Sequence, residues 1–221
     1  MKLKEALEIL IHFFNEIIAH VLPGAILILS ASYIFEKNDL IKDTGLHWAL
    51  IIGVSFLAGH AILSLNRWIE RTVCGVQSFQ IPNDLKVEFT KYFSEFSKLK
   101  NSEGSDIEIS NNMNDMFYRN IAMSISPHAG ELGRRFMFIS LFCKGTGTSI
   151  GIIYIMIIIK IYASQTLCDY WCQLLVLAVA VAFIIYIMEY RAAEFFRMAM
   201  EAPFSVAIVE MINKLKFIKD E

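Results

Sequence analysis

Residues 174–188 read LLVLAVAVAFIIYIM, and residues 150–159 read IGIIYIMIII. Neither run holds a charge. With their flanks they reach the length of a membrane span, and their reading decides the fold. Working outward along the chain, four windows qualify: 17–35, 46–65, 146–163 and 170–188, each 18 to 20 residues long. A helix that crosses hydrocarbon needs about 20 residues. The first two windows are less uniform, because they hold His20, Pro23 and His60. Two spans accompanied by two buried or interfacial helices is the competing count.

The composition agrees with a membrane protein. The chain has 221 residues, 56% of them hydrophobic, and a mean hydropathy of +0.50. A soluble domain of this length is less apolar and more charged. A formal net charge of −2 points to neither nucleic acid nor an acidic substrate as a partner. The first apolar run is too long for a signal peptide and no small-residue cleavage site follows it, so the mature chain is expected to begin near Met1.

Orientation follows from the basic residues. With four spans, both termini and the long central segment share one side. That side holds all of the 20 Lys and Arg except Lys37, Lys42 and Lys160. Among residues that flank the spans, Lys2, Lys4, Arg67, Arg71, Arg134, Arg135, Lys144, Arg191 and Arg197 outnumber those three. Basic flanks stay in the cytoplasm. The expectation is an inner-membrane protein with cytoplasmic N- and C-termini. Lys160 falls near the outer end of span three, where its stem can snorkel.

The expected fold class is therefore all-α, a multi-pass membrane protein of four transmembrane helices with a helical cytoplasmic insertion. An amphipathic lead-in and a first transmembrane hairpin occupy 1–65. The insertion occupies 66–144, a second hairpin 145–188, and a cytoplasmic C-terminal helix 189–221. In the lead-in, Leu3, Ala6, Leu7, Leu10 and Phe14 follow helical spacing; it lies on the inner surface or runs on into span one. Residues 36–45 read as a simple outer turn. Cys168 and Cys172 fall at the outer face four residues apart, either bridged or, as suits a helix there, two free thiols.

Three helices are expected in the insertion. The first starts at Asn83 as N-cap and carries Leu85, Phe89, Tyr92, Phe93, Phe96 and Leu99 on one face, the pattern of a small bundle core. After a loop over 100–115, the second covers 114–125. The third starts at Ser126 as N-cap with Pro127 in the first helical position. Gly145 and Gly147 are expected to break or bend the entry to span three. Beyond span four, Pro203 is expected to kink the helix or restart it. There Phe195, Met198, Ala202, Val206, Val209 and Ile212 form an apolar stripe in need of a partner. Phe195 and Val206, with Arg134 and Arg135 on the third insertion helix, are the candidate partner-facing residues.

No enzyme signature is present: no G-x-S-x-G, P-loop, H-E-x-x-H or EF-hand loop. GTGTSIG at 145–151 lacks the Lys-Ser/Thr ending of a phosphate loop, and its small residues read as close helix packing. Neither enzymatic activity nor a cofactor is expected. The polar residues inside the apolar windows are more telling. Glu16 and His20 are one turn apart on span one, and His60 and Ser64 one turn apart on span two. The two pairs fall at similar depth near the cytoplasmic end, which makes them a candidate intramembrane latch. Polar groups at that depth are costly unless paired. They read as interhelical hydrogen-bonding glue, as a proton- or ligand-responsive site, or as a metal site of Glu16, His20 and His60 that lacks a clear fourth ligand.

Two helical hairpins flanking a helical cytoplasmic insertion is a layout that resembles the four-span membrane components of bacterial anti-phage defence systems, those of Kiwa systems first and the membrane effectors attached to some retrons second. The resemblance covers the whole chain as architecture. The Kiwa comparison implies an inner-membrane homo-oligomer that senses phage attack and works with a soluble cytoplasmic partner. The retron comparison implies an effector that damages the membrane once released from its inhibitor. A small ion channel or transporter is the other class, with Ser30, Ser32, Ser55 and the histidines as candidate pore-lining groups. The lipid bilayer is a partner in every case.

Overall fold

A computed structural model describes residues 2–35, 45–74, 81–100 and 115–220, with side chains described over 17–35, 48–72, 81–97, 115, 117–166 and 169–217. These residues form six α-helices: α1 (Lys2–Ile34), α2 (Gly45–Ile69), α3 (Asn83–Lys100), α4 (Asp115–Ile125), α5 (Pro127–Ala163) and α6 (Leu167–Asp220). A π-helical turn, Glu70–Cys74, continues α2. Four helices, α1, α2, α5 and α6, are long and apolar enough to cross a membrane. The protein is an all-α, multi-pass membrane protein, as its apolar runs indicate.

Exposed Trp and Tyr residues stand near the ends of the apolar windows. Trp48 and Trp68 on α2 are 20 residues apart, as are Tyr170 and Tyr190 on α6, and all four are exposed. Twenty residues of helix rise about 30 Å, the thickness of the hydrocarbon layer. Trp and Tyr collect at both membrane–water interfaces. Tyr33 and Tyr162, also exposed, end α1 and α5 on the side where α2 and α6 begin.

Of the interruptions expected at Gly145 with Gly147 (a break or a bend) and at Pro203 (a kink or a restart), neither ends a helix. α5 runs through Gly145 and Gly147, so the third insertion helix and span three are one helix. α6 runs through Pro203, so span four and the C-terminal helix are also one. α1 likewise carries the lead-in straight into span one. A helical glycine costs about 1 kcal/mol against alanine, too little to end a helix whose neighbours use the space it leaves. Gly145 seats the ring of Pro23: a Cβ there would lie 2.8 Å from Pro23 Cγ.

The start signals are partly obeyed. Ser126 Oγ accepts a hydrogen bond from the Ala129 amide at 3.4 Å, and Pro127 opens α5. Asn83 is already helical, and the Pro82 carbonyl accepts from the Lys86 amide at 3.1 Å, so the cap position falls one residue earlier than expected. The expected outer turn, the 100–115 loop apart from its helical ends and any pairing of Cys168 lie outside the described residues; Cys172 is a free, exposed thiol.

The chain divides into two compact units, Met1–Gln77 with Phe138–Glu194, and Ser78–Met137 with Phe195–Glu221. The first holds the spans and is called the membrane unit; the second is called the insertion unit. α5 and α6 contribute to both.

The core of the insertion unit is aromatic. Phe89 and Phe93 of α3, Tyr118 and Ala122 of α4, and Phe204, Ala207, Ile208 and Met211 of α6 are buried together with Ile81. Leu85, Tyr92 and Phe96 pack against this cluster, so the α3 stripe is a core stripe. Leu99 lies outside the described side chains. The α6 stripe is rotated from the expected one. Val209 is 57% exposed and Val206 half-buried, while Met200, Phe204, Ala207, Ile208, Met211 and Leu215 are buried. Apolar residues occupy two faces of this segment, and the face that carries Phe204 is the one turned inward.

Candidate functional site

In the membrane unit, α1 and α2 cross with their backbones in contact. A Cβ on Gly24 would lie 1.8 Å from the Ser55 carbonyl oxygen, and one on Gly59 1.8 Å from that of His20. Only glycine permits such an approach, the mode of packing by which helices associate in lipid. The crossing brings His20 and His60 face to face. Their ring centroids are 4.0 Å apart and the rings are tilted by 24°. Phe56 closes the group, edge-on to His60 at 4.6 Å.

Of the four candidate latch residues, the structure thus joins His20 and His60. Ser64 is exposed one turn along α2. The Glu16 side chain lies outside the described residues. Ring faces meet rather than ring nitrogens, so the pair is not an in-line proton relay. A proton on each ring would place two positive charges about 4 Å apart, a repulsive arrangement. Among the described residues, no three His, Cys, Asp or Glu side chains gather to hold a metal ion.

A second polar cluster was not anticipated. The Asn66 carboxamide on α2 donates to Thr148 Oγ1 on α5 at 2.8 Å and to Glu189 Oε1 on α6 at 3.1 Å. Thr148 Oγ1 in turn donates to the Lys144 carbonyl at 3.0 Å. The Lys144 ammonium pairs with Glu70 in the π-helical turn. Three helices and the π turn are therefore tied at one level. Beside this cluster, Ser140 Oγ donates to the Ala192 carbonyl at 2.8 Å. A signal was available: Asn66, Lys144 and Glu189 each lie within two residues of the end of an apolar window. Laying the three windows side by side places these residues at one depth.

Nearby, Ser149 Oγ donates to the Pro23 carbonyl at 3.0 Å. Gly147 and Gly151 face Met188 and Ile185 of α6. The small residues of 145–151 serve helix packing, as expected of them.

The insertion unit carries the candidate partner-facing residues. Arg134 and Arg135 are exposed, Arg135 in an ion pair with Glu131. Phe195 is half-buried, stacked on Phe136 with centroids 6.2 Å apart. One further residue matters here, Arg119, only 9% exposed. Pro203 has no amide hydrogen, which leaves the carbonyl four residues earlier, that of Ala199, without its helical donor. Arg119 Nε donates to that carbonyl at 3.2 Å. Gly133 leaves room for the Pro203 ring, since a Cβ there would lie 2.8 Å from its Cγ. Burial, then the nearby Arg134, holds the Arg119 guanidinium below its usual range.

Compared with protein-family models, with curated proteins and with solved structures, the chain has no match.

Proposed function

We propose that the chain is a non-catalytic sensor or effector subunit of a bacterial anti-phage defence system, set in the inner membrane with cytoplasmic termini and acting as a homo-oligomer with a soluble cytoplasmic partner. The observation that carries this reading is the insertion unit. The chain gathers two separate stretches outside its apolar windows into a second folded body with its own aromatic core. A body of that kind without a catalytic motif serves as a surface for another protein. Arg134 and Arg135 are exposed on it, as are Val209 and Phe217. α5 and α6 belong to both units, so the proposal sends a change in the membrane unit along those two helices. The His20–His60 stack takes the sensing role, because a histidine pair responds to protons and charged ligands near neutral pH.

The test is purification in mild detergent of the tagged chain expressed with its neighbouring reading frames. The expected product is a multimer carrying a soluble protein. A strict monomer with no partner at any stoichiometry sinks the reading. His20→Phe together with His60→Phe keeps two stacked rings and removes both ionisable groups. Assembly is expected to survive this change and protection against phage to be lost; full protection takes the stack out of the mechanism.

One observation favours a channel or transporter instead. Ser55 Oγ and Thr146 Oγ1 are buried in the membrane unit with no hydrogen-bond partner among the described residues. Hydroxyls in that state suit a wet path. Ion flux through liposomes holding the purified chain alone would move the assignment to this class, and silence at both signs of voltage would remove it.

A further inference from the structure

The insertion unit holds two guanidinium groups on one side of α5. Arg119 of α4 is buried and Arg134 of α5 is exposed. Two glycines one turn apart, Gly130 and Gly133, make room for them. Arg119 Nη2 lies 3.3 Å from the point that a Cβ on Gly133 would take, and Arg134 Nη1 lies 3.5 Å from the same point on Gly130. Points at i and i+3 on a helix stand about 5–6 Å apart. Arg134 thus folds back one turn along its own helix, toward the group that α4 supplies.

The charge of this pair is uncompensated. Arginine is almost never buried unless it is paired. The hydrogen bond to the Ala199 carbonyl engages Nε, one of five N–H donors. A carbonyl is neutral, so that bond places the side chain and leaves its charge. Among the described residues, the ion pairs of this unit are Lys86–Asp115, Arg135–Glu131 and Lys214–Glu210, and neither Arg119 nor Arg134 is in one. Besides burial, the influence on Arg119 is a second positive charge, that of Arg134. Like charges brought together without a counterion repel. The Arg119 tip is also open to a solute, because the sealed side-chain atoms without a partner among the described residues are Ser55 Oγ and Thr146 Oγ1.

We infer that Arg119 and Arg134 form a binding site for one phosphate group, carried by a small solute or by a lipid headgroup. A phosphate ester carries about 1.5–2 negative charges near neutral pH, which matches two guanidinium groups. A carboxylate carries one charge and matches one. The planar fork of arginine takes phosphate oxygens two at a time. Arg135, held by Glu131, stands outside the site. The site uses residues of the insertion unit alone and does not rest on the partner protein proposed above.

Isothermal titration calorimetry of the full chain in mild detergent tests this, with inorganic phosphate as the probe. Saturable binding is expected. Arg134→Gln, at an exposed position that keeps the fold, is expected to weaken it about tenfold, the worth of one charge-assisted hydrogen bond. Arg135→Gln removes the same charge one residue along and should change it by no more than about twofold. Arg119→Lys keeps a donor for the Ala199 carbonyl but loses the fork, and should weaken binding at least as far as Arg134→Gln. Should that variant fail to fold, the Arg134 and Arg135 variants decide alone. No saturable binding by the unaltered chain overturns the proposal, as does equal weakening by Arg134→Gln and Arg135→Gln. Displacement of phosphate by an equal concentration of acetate would overturn it in favour of a carboxylate from a protein partner. Displacement by glycerol 3-phosphate supports the site and assigns it to a solute; displacement by phosphatidic acid in the micelle, with glycerol 3-phosphate inert, supports it and assigns it to a lipid headgroup.

Discussion

The two units differ in the mixture of residues they bury. In the insertion unit, Phe89, Phe204 and Met211 are inside, and charged residues such as Arg134 and Arg135 are outside. In the membrane unit, Leu57, Val176, Val179 and Phe183 are outside. Its interior holds Gly24 and Gly59 and the polar Ser55, Asn66, Ser140, Thr146 and Ser149 beside small or aliphatic residues such as Ala19, Ile62 and Leu63, and no large aromatic ring is among its described buried residues. The difference is a difference of solvent. In water, apolar area removed from solvent drives packing, at about 25 cal/mol per Å². In lipid that gain vanishes, because a leucine meets hydrocarbon inside and out, and helices associate through close backbone approach and hydrogen bonds. One chain, and even one helix, α6, obeys both rules along its length.

The largest way to break this comparison is to put bulk where the membrane unit has none. Gly59→Leu forces a side chain into the His20 backbone, which cannot yield while α1 and α2 stay paired. Destabilisation beyond about 3 kcal/mol is expected, seen as loss of monodisperse protein in mild detergent. Gly53 is the control on the same helix, because a Cβ there would meet nothing within 4 Å. Gly53→Ala is expected to be neutral or to add up to about 1 kcal/mol through helix propensity. Equal effects at the two glycines would contradict the crossing.

Next in size is the aromatic core. Phe204→Ala is expected to cost the insertion unit about 3–5 kcal/mol, read as lost amide-exchange protection in α3. Phe183→Ala, on the lipid-facing part of the same helix and 63% exposed, is expected to stay within about 0.5 kcal/mol. If the two costs were alike, the rule of two solvents would fail.

The spans were legible because charge is absent from 150–159 and 174–188, and the α3 core stripe because its rings recur at helical spacing. His20 and His60 were legible as neighbours because adjacent antiparallel spans put equal depths side by side. What stayed hidden depended on partners distant in the chain. Gly145 reads as a helix breaker until Pro23 lies against it, and Pro203 as a break until Arg119 takes up the Ala199 carbonyl. The Asn66–Thr148–Glu189 cluster spans three helices, and no local pattern announces it.

That cluster supplies a smaller test. Asn66→Leu removes two hydrogen bonds in the membrane unit and leaves Thr148 and Glu189 without them. Hydrogen bonds between membrane helices average about 0.6 kcal/mol and reach about 1.7. A loss of about 1–2 kcal/mol is expected, measured as a lower unfolding midpoint in detergent. No change would mean that glycine packing alone holds α2, α5 and α6 together.

The smallest effect concerns an ion pair at the edge of the insertion unit, where water competes. Asp115 pairs with Lys86 and accepts from the Ile81 amide at 2.7 Å. Burial by itself would raise the carboxyl, but the Lys86 hydrogen bond, the Ile81 amide and the Lys86 charge together bring it below the usual Asp range. A carboxyl lowered in the folded state stabilises the fold above its unfolded value, about 3.9. That contribution is lost as pH falls through the folded value. Exchange protection at Ile81 and the start of α3 is therefore expected to be flat above about pH 5 and to fall in more acidic solution, by about 1 kcal/mol for a partly exposed pair. Lys86→Met removes both its hydrogen bond and its charge, which leaves burial opposed by the Ile81 amide alone, so the loss of protection in acid is expected to shrink or vanish. A fall of the same size in both proteins would assign the acid sensitivity to some other carboxyl.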